Sequence, residues 1–278
     1  MRSKPQTIKI HKPNPAVLLF TLLFFVLLSG CARPPWTTQG LREEPAGLEQ
    51  LINNLQTRER SCPQGLTAQA IFNWQAPASS IKLDGSLQLL IPDAFKAVAL
   101  SPLGQPLFII TANDTTFQAI DIPAAQVLQG NVQNLLSHYN IDFNQAPLGT
   151  WLSGRFSTKS VKTQRLGWDK AGRGYWLKIK ETGNSAEIIS HVLIDLKSQD
   201  ILIRQAINHN GQRAATIIYN DRDEIQACRP PQNIEIKDLP YGARLTITLN
   251  QIHQDDKLQP ADFTMQIPSS FTRTQLPE

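Results

Sequence analysis

The chain has 278 residues, with 27 Lys and Arg against 23 Asp and Glu, a formal charge of +4. Arg2, Lys4, Lys9 and Lys12 lie in the first thirty residues, which hold no acid; without them the balance is 23 to 23. This excludes a domain built on a basic nucleic-acid footprint, and 41% hydrophobic with 18% charged residues excludes a disordered chain.

Residues 1–30 read as an export signal. Met1–Asn14 is polar and basic, Val17–Leu28 is apolar apart from Thr21, and Leu28-Ser29-Gly30 precedes Cys31. Twelve apolar residues are too few to span a ~30 Å hydrocarbon core comfortably. Leu-Ser-Gly-Cys resembles the bacterial lipobox, which implies cleavage before Cys31 and acylation of its thiol and freed amine. Two or three acyl chains anchor a protein firmly. Ala32, a residue other than Asp at the next position, implies delivery to the outer membrane, with the protein facing the periplasm.

Residues 31–45 are expected to be a flexible tether, with Pro34, Pro35, Gly40 and Pro45 among charges. Residues 46–278 are expected to form one domain. Leu48, Leu51, Ile52 and Leu55 recur with helical spacing and predict an amphipathic helix ending before Pro63. Export places Cys62 and Cys228 where they can pair; the alternative is two buried free thiols.

From Gly65 the period becomes two. Leu66, Ala68, Ala70, Phe72 and Trp74 alternate with polar positions, and Ile81, Leu83, Leu87, Leu89 and Ile91 form the next apolar face. Phe95–Leu100, Pro106–Ala112 and Thr115–Asp121 continue the series through short linkers. Val132, Leu135, Leu136 and Tyr139 predict a helix, and Pro147 to Gly154 a second short one. Strands resume at Tyr175–Lys180, Ile188–Leu196, Ile201–His209, Ala214–Tyr219, Asn233–Asp238 and Ala243–Ile252, before a short tail. The expected fold is mainly β: a curved antiparallel sheet of about eleven strands, an open half-barrel with a helical lid around an apolar concavity.

The chain shows little enzymatic chemistry. His138, His191, His209 and His253 have no metal or catalytic spacing, and no Gly-x-Ser-x-Gly elbow or phosphate loop occurs. Asp221, Asp223 and Glu224 lack the glycine and distal acid of a calcium loop. No enzyme activity, metal or cofactor is expected.

Three features together resemble one family. Ser101-Pro102-Leu103-Gly104 joins two strands, Thr150-Trp151-Leu152-Ser153-Gly154 closes the helical insertion, and Pro231-x-Asn233-Ile234-x-Ile236 with Arg244-Leu245-Thr246-Ile247 ends the sheet. Their order, behind a lipobox, resembles LolB, an outer-membrane receptor for lipoproteins, over roughly residues 48–253. The resemblance implies a membrane-inserting loop at Pro102, Leu103 and Gly104. It implies an acyl-chain cavity lined by residues such as Phe72, Trp74, Leu87, Leu89, Leu135 and Trp151. Its partners would be the bilayer, a periplasmic LolA-like carrier and lipoprotein cargo, with the protein a monomer. The alternative is a lipid-binding or structural envelope lipoprotein of the same fold without a transfer role. The paired cysteines and the stretch 254–278 depart from the LolB pattern.

Overall fold

The computed structural model describes residues 34–37, 43–113, 115–132, 147–157, 161–182, 187–208, 210–222, 228 and 230–275. The leader with Cys31, the predicted helix beyond Val132 with Leu135, and Asp223 and Glu224 lie outside the described residues.

Fourteen strands form one sheet. They are β1 (Gly65–Ala76), β2 (Ser79–Leu90), β3 (Ala94–Leu100), β4 (Pro106–Ala112), β5 (Thr116–Asp121), β6 (Gln126–Asn131), β7 (Val161–Trp168), β8 (Tyr175–Thr182), β9 (Glu187–Ile194), β10 (Ile201–Ile207), β11 (Arg213–Asn220), β12 (Asn233–Lys237), β13 (Arg244–Gln254) and β14 (Thr272–Gln275). The spatial order is β14-β6-β5-β4-β3-β2-β1-β13-β12-β11-β10-β9-β8-β7. The chain meanders outward from β1 to β6, crosses to the opposite edge, and meanders back from β7 until β13 pairs with β1. Two helices, α1 (Leu48–Ser61) and α2 (Leu148–Leu152), pack on one face of this sheet.

The count of about eleven strands is corrected to fourteen. The three additions are β6, β7 and β14, with sequences QVLQGN, VKTQRLGW and TRTQ. They lie at or beside the edges of the sheet, where no continuous apolar face is needed, so alternation is weak. Between β6 and β7 the described residues 147–157 lie on the apolar face of the sheet. There α2 docks, with Thr150 N–H donating to Pro92 O at 2.8 Å.

Burial follows the pleat. Leu48, Leu51, Ile52 and Leu55 of α1 pack with Leu66, Leu87, Leu89, Trp151, Leu177, Val192 and Ile217 in one core. Each such side chain contributes about 1.5–3 kcal/mol relative to exposure. The disulfide Cys62–Cys228 joins the end of α1 to the β11–β12 connection.

Two further segments add to the sheet near its edges. The C-terminal segment, expected only as a short tail, wraps the convex face of β3–β5. Phe263 is buried there, and Thr111 Oγ1 donates to Phe263 O at 2.6 Å. Gln118 both donates to Met265 O and accepts from Met265 N–H, at 3.2 and 2.8 Å, mimicking a strand ladder. The segment ends as β14, parallel to β6.

At the other edge, the expected tether is docked in part. Trp36 bridges to Asp169, and Thr37 N–H donates to Trp168 O at 2.9 Å. The Trp36 ring lies 5.7 Å from Trp176 and 5.1 Å from His191. Arg165 pairs with Glu44 and Glu49 at 2.6 and 2.8 Å. From Trp36 onward the chain is one compact unit.

Burial, and next Lys178, lowers the His191 imidazole from its usual 6.5 to about 4. The unfolded chain therefore binds a proton that the folded chain refuses between these values. Stability is complete above pH 6.5 and falls as the pH drops toward 4. His191→Gln is expected to flatten this part of the curve, read as urea midpoints at pH 7, 5.5 and 4.5; an unchanged pH slope would contradict it.

Candidate functional site

The apolar face of the sheet has a closed part and an open part. α1, α2 and the following segment close the first. Residues 151–157 are all buried, and side chains from the sheet satisfy their backbone. Tyr219 of β11 donates its hydroxyl to Trp151 O at 2.7 Å. Arg204 of β10 donates to Arg155 O and Phe156 O at 2.8 and 2.9 Å, and Arg222 donates to Gly154 O. Arg155 in turn donates to Pro63 O at 2.8 Å and Cys228 O at 3.3 Å, and its Nε lies 3.8 Å from Glu59. Burial lowers the Arg155 and Arg222 guanidinium groups and raises the Tyr219 phenol. Gly154 has φ +65°, and a Cβ there would collide with Arg222 and Tyr219. The Thr150–Gly154 motif is thus a buried clamp.

The open part lies toward the end of the sheet that carries the β1–β2 and β3–β4 hairpins. Phe72 opposes Leu83, Trp74 opposes Ile81, Ala97 opposes Ile110, Ala99 opposes Phe108, and Ala119 opposes Leu128. These pairs continue one apolar face across β1 to β6. Trp74 is 39% exposed, Ile81 50%, Phe108 40% and Ile110 44%. Nothing among the described residues covers them. At its far edge this face deepens into a cavity of about 390 Å³, lined by Phe108, Ile110, Ala119 and Leu128, with Asp121, Gln126 and Thr274 as polar groups. That volume falls in the ~300–1,000 Å³ range of small-ligand sites. β14, which supplies Thr274, completes the wall.

The six residues expected to line an acyl-chain cavity therefore separate. Phe72 and Trp74 border the open face. Leu87, Leu89 and Trp151 instead sit in the closed core, each 2–3% exposed, because α1 and α2 fill the space above them. Leu135 lies outside the described residues. Phe108, Ile110, Ala119 and Leu128 were not singled out by the sequence reading. In Pro-Leu-Phe-Ile-Ile-Thr-Ala both faces are apolar, so period two could not say which face was open.

Pro102, Leu103 and Gly104 form the tip of the β3–β4 hairpin, closed by Gly104 N–H to Ser101 O at 2.8 Å. Gly104 takes φ +77°, which a turn here requires. Leu103 is 86% exposed and does not fold back onto the core. Among the described residues no group of three or more His, Cys, Asp or Glu could hold a metal.

No protein-family profile matches the sequence, and no curated protein matches it. Solved structures do. A domain from Vibrio parahaemolyticus, described as part of an outer membrane lipoprotein-sorting protein, aligns over 77% of this chain and 94% of its own, at 10% identity and TM-score 0.53. A LolA-superfamily protein from Nitrosomonas europaea aligns over 78% and 97%, at 14% identity and TM-score 0.52. A DUF1329-family protein from Desulfovibrio piger aligns over 79% and 98%, at 7% identity and TM-score 0.56. The likeness lies in the fold alone: the chain has the LolA-type fold, a large, open, curved sheet with its apolar face partly lidded by helices.

Proposed function

We propose that this chain is a lipid-anchored receptor on the periplasmic face of the outer membrane. It takes the acyl chains of lipoprotein cargo from a LolA-like carrier onto its open concave face. It then releases them to the bilayer beside the β3–β4 hairpin. The observation that carries this reading is the continuity of half-exposed apolar side chains from the 390 Å³ cavity through Ile110, Phe108, Ile81 and Trp74. A path that an acyl chain can follow without crossing a polar barrier needs no nucleotide, because transfer runs down an affinity gradient. Leu103, apolar and exposed between polar Ser101 and Gln105, costs little in water and gains on entering lipid.

The test uses the full-length acylated protein in liposomes, with a carrier loaded with fluorescent lipoprotein. Leu103→Glu is expected to retain cargo binding and lose delivery by about tenfold or more, since a carboxylate resists insertion. Delivery at the wild-type rate would refute the role of the hairpin. If cells depleted of the protein still localise their lipoproteins, the chain is instead a lipid-binding envelope protein with no transfer role.

A further inference from the structure

Tyr241 belongs to neither the closed core nor the cavity. It lies on the β12–β13 turn, between Pro240 and Gly242, and is 89% exposed. Its φ of 60° and ψ of 22° place it in the left-handed region, which is unfavourable for a residue with a side chain. Its hydroxyl has no hydrogen-bond partner among the described residues. A large ring is therefore held in water, in an unfavourable backbone conformation, without a contact that compensates.

The register shows where it stands. Arg244 pairs with Gln75, so the turn lies beside the β1–β2 hairpin, and a Cβ on Gly242 would touch Pro77 at 3.8 Å. Leu100 pairs with Asp84, so the Leu103 hairpin opens at the same end of the sheet. The β1–β2 hairpin projects between the two and carries Trp74 and Ile81. Four strand spacings separate the two outer turns, roughly 19 Å. Lys82, exposed beside Ile81, makes no ion pair with the described residues.

We propose that Tyr241 and Leu103 are the two ends of one bilayer-contacting lip. A tyrosine, with an apolar body and a polar tip, suits the headgroup level. Leucine suits the acyl region just beneath it, and Lys82, opposite Asn73 on the other face of β2, can reach lipid phosphate. One inserted side chain leaves the domain free to rotate about it. Two contacts about 19 Å apart hold the open face at a fixed angle to the bilayer, so that cargo leaves along the lip. This inference rests on the receptor reading and adds a second membrane contact to it.

The test places a nitroxide at Tyr241→Cys, at Leu103→Cys, or at Lys170→Cys in the exposed β7–β8 turn at the opposite end of the sheet, in the full-length acylated protein. The native cysteines are expected to be acylated or disulfide-bonded, so each variant has one free thiol. In liposomes of phosphatidylethanolamine and phosphatidylglycerol, collision with oxygen and with a water-soluble nickel chelate reports depth. Labels at 241 and 103 are expected to favour oxygen relative to 170. A label at 241 that matches 170 while 103 is immersed overturns this inference and spares the receptor reading. If both labels stay wet, the inference and the hairpin-insertion step fail together. Protection of 241 only on adding carrier would also overturn it, assigning the turn to a protein contact. A second measurement compares delivery rates: Tyr241→Asp is expected to lose about tenfold, and Tyr241→Trp to keep the wild-type rate. Equal rates for both variants would overturn the proposal.

Discussion

Arg204→Met is expected to lower the unfolding free energy by about 3–5 kcal/mol, read from urea midpoints. The Arg204 guanidinium is fully buried. It donates to Ser190 Oγ at 3.0 Å and to the carbonyls of Arg155 and Phe156, and lies 3.9 Å from Glu181. It also stacks over the Trp151 ring at 5.6 Å. Methionine replaces the volume and none of the donors. The two carbonyls then lose their partner away from water, and Glu181 loses a neighbouring cation. Arg204→Lys keeps the charge but not the planar fork, and is expected to recover only part of the loss. A single-variant midpoint equal to wild type would show that the clamp on residues 151–157 stands without Arg204.

The second large effect comes from the disulfide. Cys62→Ser with Cys228→Ser is expected to cost about 3–5 kcal/mol. The link closes a loop of 166 residues, for which chain entropy sets roughly 5 kcal/mol as an upper figure. Its position adds to the effect. Arg155 spans the same junction, to Pro63 O on one side and Cys228 O on the other. Without the bond, α1 is held to the sheet at its C-terminal end mainly by Arg58, which donates to Gln199 O and pairs with Asp200, by Glu59 with Arg155, and by the apolar stripe. Reductant applied to the wild type should reproduce the double variant, and reductant applied to the double variant should do nothing. A wild-type midpoint insensitive to reductant would contradict the assignment. Reversible urea unfolding of the Leu103→Glu variant, unchanged from wild type, provides the control that separates delivery from stability.

Elements whose apolar pattern is dictated by one buried face were legible in the sequence. Leu48, Leu51, Ile52 and Leu55 face the core as their spacing requires, because a helix laid on a sheet has only one stripe to bury. The alternation in β1 and β2 located both strands, and the short linkers made them antiparallel neighbours. β6, β7 and β14 escaped because polar strands at an edge carry no such stripe. The docking of Trp36 escaped for a related reason. A proline-rich stretch reads as a linker, and the acceptor of its tryptophan, the Trp176–His191 surface, lies some 140 residues away. The cavity residues divided on the same principle. Period two places Leu87, Leu89, Phe72 and Trp74 on one face, but what covers each of them is set by helices at a distance.

By itself the sequence determined the character of this protein. Alternation at period two pointed to a mainly β chain with an apolar face, while the net positive charge of residues 1–30 and the lipobox-like Cys31 carry an expectation of export and anchoring. These follow from local composition and period, which need no partner to be read. Only the tertiary structure decided where that face is closed and where it is open. Whether Leu89 or Phe108 meets solvent depends on where α1, α2 and the C-terminal segment come to rest, and those positions depend on contacts between residues far apart in the chain. The pairing of Cys62 with Cys228, the clamp around Arg204 and the nearness of Tyr241 to the β1–β2 hairpin have the same origin. Each joins residues from distant stretches, and no local pattern encodes such a meeting.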